Sequence, residues 1–305
     1  MTDSQVLYSA TPRIIDCKQG AIRAAHLNVD GSYSITCGAD KSIKLWNPHR
    51  ELLLKTYAGH GFEVLDARGS TDNAQIASGS VDKTVMLWDV STGAALRKFR
   101  GHAGRVNCVC FNGESTLVLS GSVDCSVKIW DLKAKKNDPV QTLDEGKDVI
   151  MSVVVSGHEI LTGCLDGRIR RYDLRTGQLF QDYVGKQVTS VCFTNDGQCV
   201  LLSTLESSVM LFDKESGEML LEYTGHVNKE FKCDSCLNAK DTHVLSGSED
   251  GKIYCWDLVK GSLVQTLDHG LGKTSITSVS HHPKDPCVIS TAQNKLFIWK
   301  ADSET

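Results

Sequence analysis

Short apolar runs rich in Val, Ile, Leu and Cys alternate along the whole chain with clusters of Gly, Ser, Asp, Asn and Thr. Residues 63–99 show the unit. Its four runs, Glu63–Ala67, Ala74–Ser78, Thr84–Trp88 and Ala94–Phe99, are broken at Ser70–Asn73, Gly79–Asp82 and Ser91–Gly93. Gly, Asn, Asp and Ser at the breaks supply turn chemistry, while β-branched and aromatic residues in the runs suit a pleated surface. No stretch long enough for a helix carries a convincing 3.6-residue period. The pattern predicts an all-β chain of short strands.

One run in each unit ends in an aromatic: Trp46, Trp88, Trp130, Tyr172, Phe212, Trp256 and Trp299, at steps of 42, 42, 42, 40, 44 and 43 residues. Six of the seven carry an acidic residue six positions earlier, namely Asp40, Asp82, Asp124, Asp166, Glu206 and Asp250. The last offers Asn294, five before Trp299, which implies a shorter hairpin. Four strands repeated at this period make the blades of a β-propeller. The expected fold is a seven-bladed propeller, one domain of four-stranded antiparallel blades at about 18–57, 58–99, 100–143, 144–183, 184–223, 224–267 and 268–300. Only six residues follow Trp299, too few for a turn and a fourth strand. Residues 10–16 are therefore expected to supply the outer strand of the last blade and leave no open seam.

His60, Ser78, Asp82 and Trp88 are spaced to meet at one corner of a blade. The indole N–H can donate to the serine, the serine can meet the imidazole, and the imidazole can meet the aspartate, so every polar group is satisfied. The set recurs as His102, Ser120, Asp124, Trp130 and as His226, Ser246, Asp250, Trp256. A His/Ser/Asp trio also fits a nucleophilic triad. Three copies in three blades fit an inter-strand lock instead, and no catalytic residue is assigned. Blades 1, 4, 5 and 7, with Thr36, Tyr172, Phe212 and Asn294 at key positions, are expected to be less rigidly locked.

Gly59-His60, Gly101-His102 and Gly225-His226, with Ser-Gly-Ser-Val-Asp and Leu-Trp-Asp or Ile-Trp-Asp after them, resemble the WD-repeat family over about residues 18–300. In that family the face carrying the loops that enter each blade commonly binds peptides and partner domains. The residues placed there are Phe62, Glu63, Arg105, Lys147, Asp148, Gln187 and Glu230, joined by Lys83, Cys125, Arg168 and Lys252 from the neighbouring turns. Mixed charge with an aromatic suits a protein partner, because aromatic and arginine anchors carry much of the energy of interfaces.

Charge and composition add exclusions. The net charge of −4 and pI of about 6.2 give no basic footprint for nucleic acid, and Lys133–Lys136 is a short solubilising run. No apolar run approaches the roughly 18 residues of a membrane span, and Met1–Arg13 does not read as a secretory signal. The twelve cysteines sit mostly in apolar runs and read as small core hydrophobes. Cys233 and Cys236 fall on an expected strand where their sulfurs would diverge, so no metal or redox role is assigned. Gly270-Leu-Gly-Lys-Thr274 mimics the end of a phosphate-binding loop, but Leu267 stands where the mechanism needs glycine. His281-His282 beside Pro283 reads as solvated or core-edge rather than metal-binding. The innermost strands read as apolar or small, without the convergent titratable groups of a catalytic channel. No cofactor or metal is expected.

Lys98–Val106, Asp166–Arg175 with Gly177–Phe180, Tyr183–Gly185, Thr56–Asp66 and Val140–Glu145 resemble one branch of the family, the mitogen-activated protein kinase organizer proteins. That resemblance, from about Ile15 to Trp299, implies a non-catalytic scaffold of the cytoplasm and nucleus. The implied partners are kinases of the extracellular-signal-regulated cascade with their upstream scaffolds, spliceosomal proteins and an oxygen-sensing prolyl hydroxylase. The alternatives are a spliceosomal or ribonucleoprotein subunit with no signalling role, and a substrate-recognition adaptor for a modifying enzyme.

Overall fold

The computed structural model describes residues 8–301, which form 28 β-strands and no helix. The strands group into seven four-stranded antiparallel sheets. Each sheet runs from an inner to an outer strand in chain order, as in Val64–Gly69, Gln75–Ser80, Thr84–Asp89 and Ala95–Arg100 of blade 2. The inner strands touch in a closed cycle, so the architecture is a seven-bladed β-propeller.

The last blade takes one strand from the other end of the chain. Arg13–Asp16 pairs antiparallel with Lys295–Lys300, Arg13 facing Ile298 and Asp16 facing Lys295. Tyr8 forms a further bridge with Ala301. Its backbone N–H donates to the Gln265 side chain at 3.0 Å and its carbonyl accepts from that amide at 2.7 Å, tying the N-terminal segment to blade 6.

The apolar core lies between blades. Trp88 packs against Ile35, Ile43 and Tyr57 of blade 1, and Trp130 against Ala77, Val85 and Phe99 of blade 2. Burying an indole of this kind is worth about 4–6 kcal/mol in area removed from water. The Gly of each Ser-Gly-Ser run has a packing reason. A Cβ on Gly79 would stand 2.6 Å from Val106 Cγ1, and one on Gly121 2.6 Å from Ile150 Cγ2. Bare backbone there lets the next blade's inner strand seat. Asp82 and its counterparts sit in turns whose next residue takes left-handed backbone, with φ of 68° at Lys83 and 66° at Cys125.

Candidate interaction face and blade locks

In blade 2, Trp88 Nε1 donates to Ser78 Oγ at 2.8 Å, Ser78 meets His60 Nε2 at 2.8 Å, and His60 Nδ1 meets Asp82 Oδ2 at 3.1 Å. Blade 3 repeats this with Trp130, Ser120, His102 and Asp124 at 2.8 Å throughout. Burial works to raise the Asp82 carboxyl, but hydrogen bonds from His60, Thr84 and the Gly61 N–H hold it well below the usual carboxylate range. Ser78 and Ser120 have no exposed surface. A substrate cannot reach either hydroxyl, which fits a lock and not a nucleophile.

Blade 6 departs from the expected set. His226 makes no hydrogen bond through either ring nitrogen, although both are buried. Trp256 donates instead to the Thr224 carbonyl at 3.2 Å, and Ser246 to the Gly247 carbonyl at 3.0 Å. The cause is Tyr254, whose hydroxyl takes Asp250 Oδ2 at 2.7 Å and whose ring stacks on Trp256. Met86 and Lys128, at the same place in blades 2 and 3, leave the aspartate to the histidine. Burial pushes the His226 imidazole down to about 4, so it stays neutral.

The four blades expected to be loose are held by other residues. In blade 7, Trp299 donates to Ser290 Oγ at 2.9 Å and Ser290 meets His269 Nε2 at 2.8 Å, while His269 Nδ1 meets the Gly251 carbonyl at 2.9 Å. In blade 1, Trp46 donates to Thr36 at 2.8 Å, Thr36 donates to Gln19 at 2.5 Å, and the Gln19 amide donates to the Ser42 carbonyl at 3.1 Å. Glutamine substitutes for histidine there, supplying one donor and one acceptor. Blade 4 uses charge: buried Arg170 pairs with Asp166 at 2.5 Å. Blade 5 uses Lys186, which donates to Ser208 at 3.1 Å and Glu222 at 2.8 Å, and the Glu206 carboxylate takes no part.

The expected rim residues share one face, that of the blade-entry loops. Phe62 is 60% exposed with the Lys41 ammonium 5.6 Å from its ring centroid, and Glu63 pairs with Arg23 at 2.8 Å. Arg105, Lys83, Lys147, Gln187 and Glu230 are exposed; Asp148, Arg168, Cys125 and Lys252 are half-buried. The Arg105 carbonyl accepts from the Val123 N–H at 3.1 Å, which fixes that loop against its neighbouring turn. The Arg168 guanidinium lies 5.2 Å from the ring centroid of Tyr183. Tyr183 and Phe231 were missed from sequence, yet they are 69% and 47% exposed at the entries to blades 5 and 6. Glu249 Oε1 accepts three consecutive N–H groups, from Lys229, Glu230 and Phe231, at 2.7–2.9 Å, so the loop presenting Phe231 is fixed.

The WD domain, G-beta repeat family matches residues 11–47, 51–89, 93–131, 217–257 and 261–300. The chain belongs to the WD-repeat family. Between the third and fourth matches lie blades 4 and 5, whose third strands carry Tyr172 and Phe212 in place of the indole. WD repeat domain-containing protein 83 of Rattus norvegicus is 60% identical over 95% of this chain and 92% of its own length. The Homo sapiens protein of the same name is 59% identical over the same shares, and a homolog in Dictyostelium discoideum is 34% identical over 94% and 97%. The resemblance to the organizer branch thus extends to relatives spanning nearly the whole chain.

The channel of this WD-repeat propeller is more polar than its sequence suggested. His26, Asp66 and Arg68 reach it from inner strands, and Lys232 and Asp234 from the segment just before the sixth inner strand. Asp66 accepts from His26 Nε2, the Ala67 N–H and the Val109 N–H, each at 2.9 Å. Burial would raise its carboxyl, but Arg68 and His26 hold it far below the usual range. Cys233 lies just before a short strand, Ser235–Leu237, that holds Cys236, so the pair does not share a strand as expected. Burial pushes both thiols well up, and all twelve cysteines are unpaired. Among the described residues no group of three or more His, Cys, Asp or Glu side chains is placed to hold a metal ion.

Proposed function

We propose that this WD-repeat propeller is a non-catalytic scaffold that assembles signalling complexes through its blade-entry face. The observation that carries the reading is the ring of exposed Phe62, Tyr183 and Phe231, set among Arg105, Arg168, Lys83 and Lys147 on loops pinned by backbone hydrogen bonds. Rigid aromatic and arginine anchors bind protein surfaces at low ordering cost. The kinship to WD repeat domain-containing protein 83 and the organizer branch favours kinases of the extracellular-signal-regulated cascade as partners. Spliceosomal proteins and the oxygen-sensing prolyl hydroxylase follow from the same kinship, with residence in cytoplasm and nucleus.

The test combines rim variants with a titration. Phe62→Ala, Arg105→Glu and Arg168→Glu should leave the unfolding midpoint unchanged and weaken kinase co-association, since losing a central anchor costs about 2 kcal/mol or more. Raising the scaffold concentration should first increase and then decrease the complex of two kinases, because excess scaffold separates them onto different copies. A steadily rising curve with binding indifferent to all three variants would refute the scaffold reading.

A further inference from the structure

The seven inner strands share one register position at or next to their ends. Leu27, Gly69, Phe111, Val155, Phe193, Leu237 and His281 each pair with the second-strand residue that faces the Trp, Tyr or Phe of the third strand. At six of these seams between blades the position carries a sizeable side chain. The seam between blades 1 and 2 has Gly69.

Backbone does not demand that glycine, because Gly69 does not take left-handed φ. Space is also available: a Cβ there would meet only Ile35 Cδ1, at 3.4 Å. The omitted side chain leaves an open cavity of about 320 Å³, walled by Ile35, Leu45, Leu54, Ile76 and Val90 with Tyr33 at its edge. It opens on the face opposite the blade-entry loops, since Gly69 ends the strand that Val64 begins. Leu54 and Tyr33 are 41% and 37% exposed, so apolar surface continues outward from the cavity. An apolar-walled hollow of this size suits a hydrocarbon or aromatic group better than water.

Charge at the mouth narrows the occupant. The lining amides of Asn28 and Asn73 both donate to Asp30, at 2.8 and 3.2 Å. Asp72 lies beside Asn73, accepting from the Ser70 hydroxyl at 2.5 Å. The neighbouring cation, Lys55, is engaged by the Ser91 carbonyl. Two carboxylates beside an apolar socket complement a cation next to an apolar side chain.

We infer that the cavity between blades 1 and 2 is a second protein-docking site, which takes one bulky apolar side chain of a partner, flanked by Lys or Arg, into the space Gly69 leaves. The inserted side chain occupies the place that Phe111 and Phe193 fill in their own seams. The site is independent of the blade-entry face, so a propeller that failed every rim test would still bind here.

A random-peptide phage library panned on the wild-type protein, with Gly69→Phe as the counter-selection, tests this directly. Selected peptides should share Phe, Leu, Trp or Met next to Lys or Arg. Their synthetic versions should bind Gly69→Phe and Gly69→Leu at least about tenfold more weakly than wild type. Asp30→Asn should weaken them several-fold and reduce the salt dependence. Both Gly69 variants should melt at or above the wild-type temperature, because each fills a cavity; Tyr33→Ala and Leu54→Ala decide the matter if they melt lower. Failure to select any peptide, selected peptides without an apolar anchor, or peptides indifferent to Gly69 and Leu54 substitution would overturn the inference. Self-association of the wild type that disappears in Gly69→Phe would overturn it in favour of a second copy of this chain.

Discussion

Replacing His102 and His226 by Phe should change stability with opposite sign, although the two residues hold the same place in the repeat. His102 bridges Asp124 and Ser120 at 2.8 Å each, tying the entry loop to the blade, and the Ala103 N–H donates to the same Asp124 oxygen at 2.8 Å. Its removal forfeits two hydrogen bonds and leaves the half-buried Asp124 oxygen with the Ala103 N–H alone, for a loss of about 2–4 kcal/mol. His226 makes neither bond, and its two buried nitrogens are unpaired. Phe keeps the ring contact with Trp256, whose centroid is 5.4 Å away, and removes both orphaned atoms. The net effect should lie between zero and about 2 kcal/mol of stabilisation, after the small cost of a larger ring. Urea midpoints at neutral pH, converted with the fitted slope, measure both changes. Equal losses at the two sites, or a loss above about 2 kcal/mol at His226, would show that the His226 nitrogens have partners and that Tyr254 does not displace the lock.

Asp124→Ala should cost about 1–3 kcal/mol and Glu206→Ala close to none, because only the first carboxylate is hydrogen-bonded to a buried histidine; equilibrium unfolding compares them. A chain beginning at Lys18 loses the strand that pairs with Lys295–Lys300 and should melt several degrees lower and aggregate, as a thermal scan with light scattering would register. Stability should fall as pH drops from about 6.5 to 4, because His226 and His269 in the folded protein titrate near 4, while in the unfolded chain they bind protons from their ordinary 6.5 downward. Each contributes a loss of roughly 3 kcal/mol across that window, and His226→Phe should remove its share from a pH series of urea midpoints.

The repeating aromatic and acidic positions made the ring legible, since they fall at the same turn and strand end in each blade. The closing strand was legible for a related reason: the last repeat lacked a strand and the first residues had the outer-strand pattern. What escaped were substitutions that keep the chemistry and change the residue. Gln19 offers the donor and acceptor of an imidazole without matching a Gly-His motif. His269 does the same from one residue earlier in its loop, at the position Gly101 holds before blade 3. Blade 6 misled in the opposite direction, because all four motif residues are present and a fifth, Tyr254, redirects them. The channel charges were missed because alternate inner-strand positions face the axis, so a single Asp66 or Arg68 within an apolar run is projected into it. Gly69 carried no signal until the register showed what its counterparts are.

The pairing of Arg13 with Ile298 sets an order of events during synthesis. At typical elongation rates of about 5–20 residues per second, Ile14 and Ile15 leave the ribosome roughly 15–60 s before their partner strand exists. Throughout that interval the N-terminal strand is unpaired, and on one polysome the last blade of a nearly finished chain can take that strand from a chain behind it. Exchange of these strands would produce a dimer with every native hydrogen bond and no mutation, a hazard that grows with ribosome density rather than with any weakness in the finished ring.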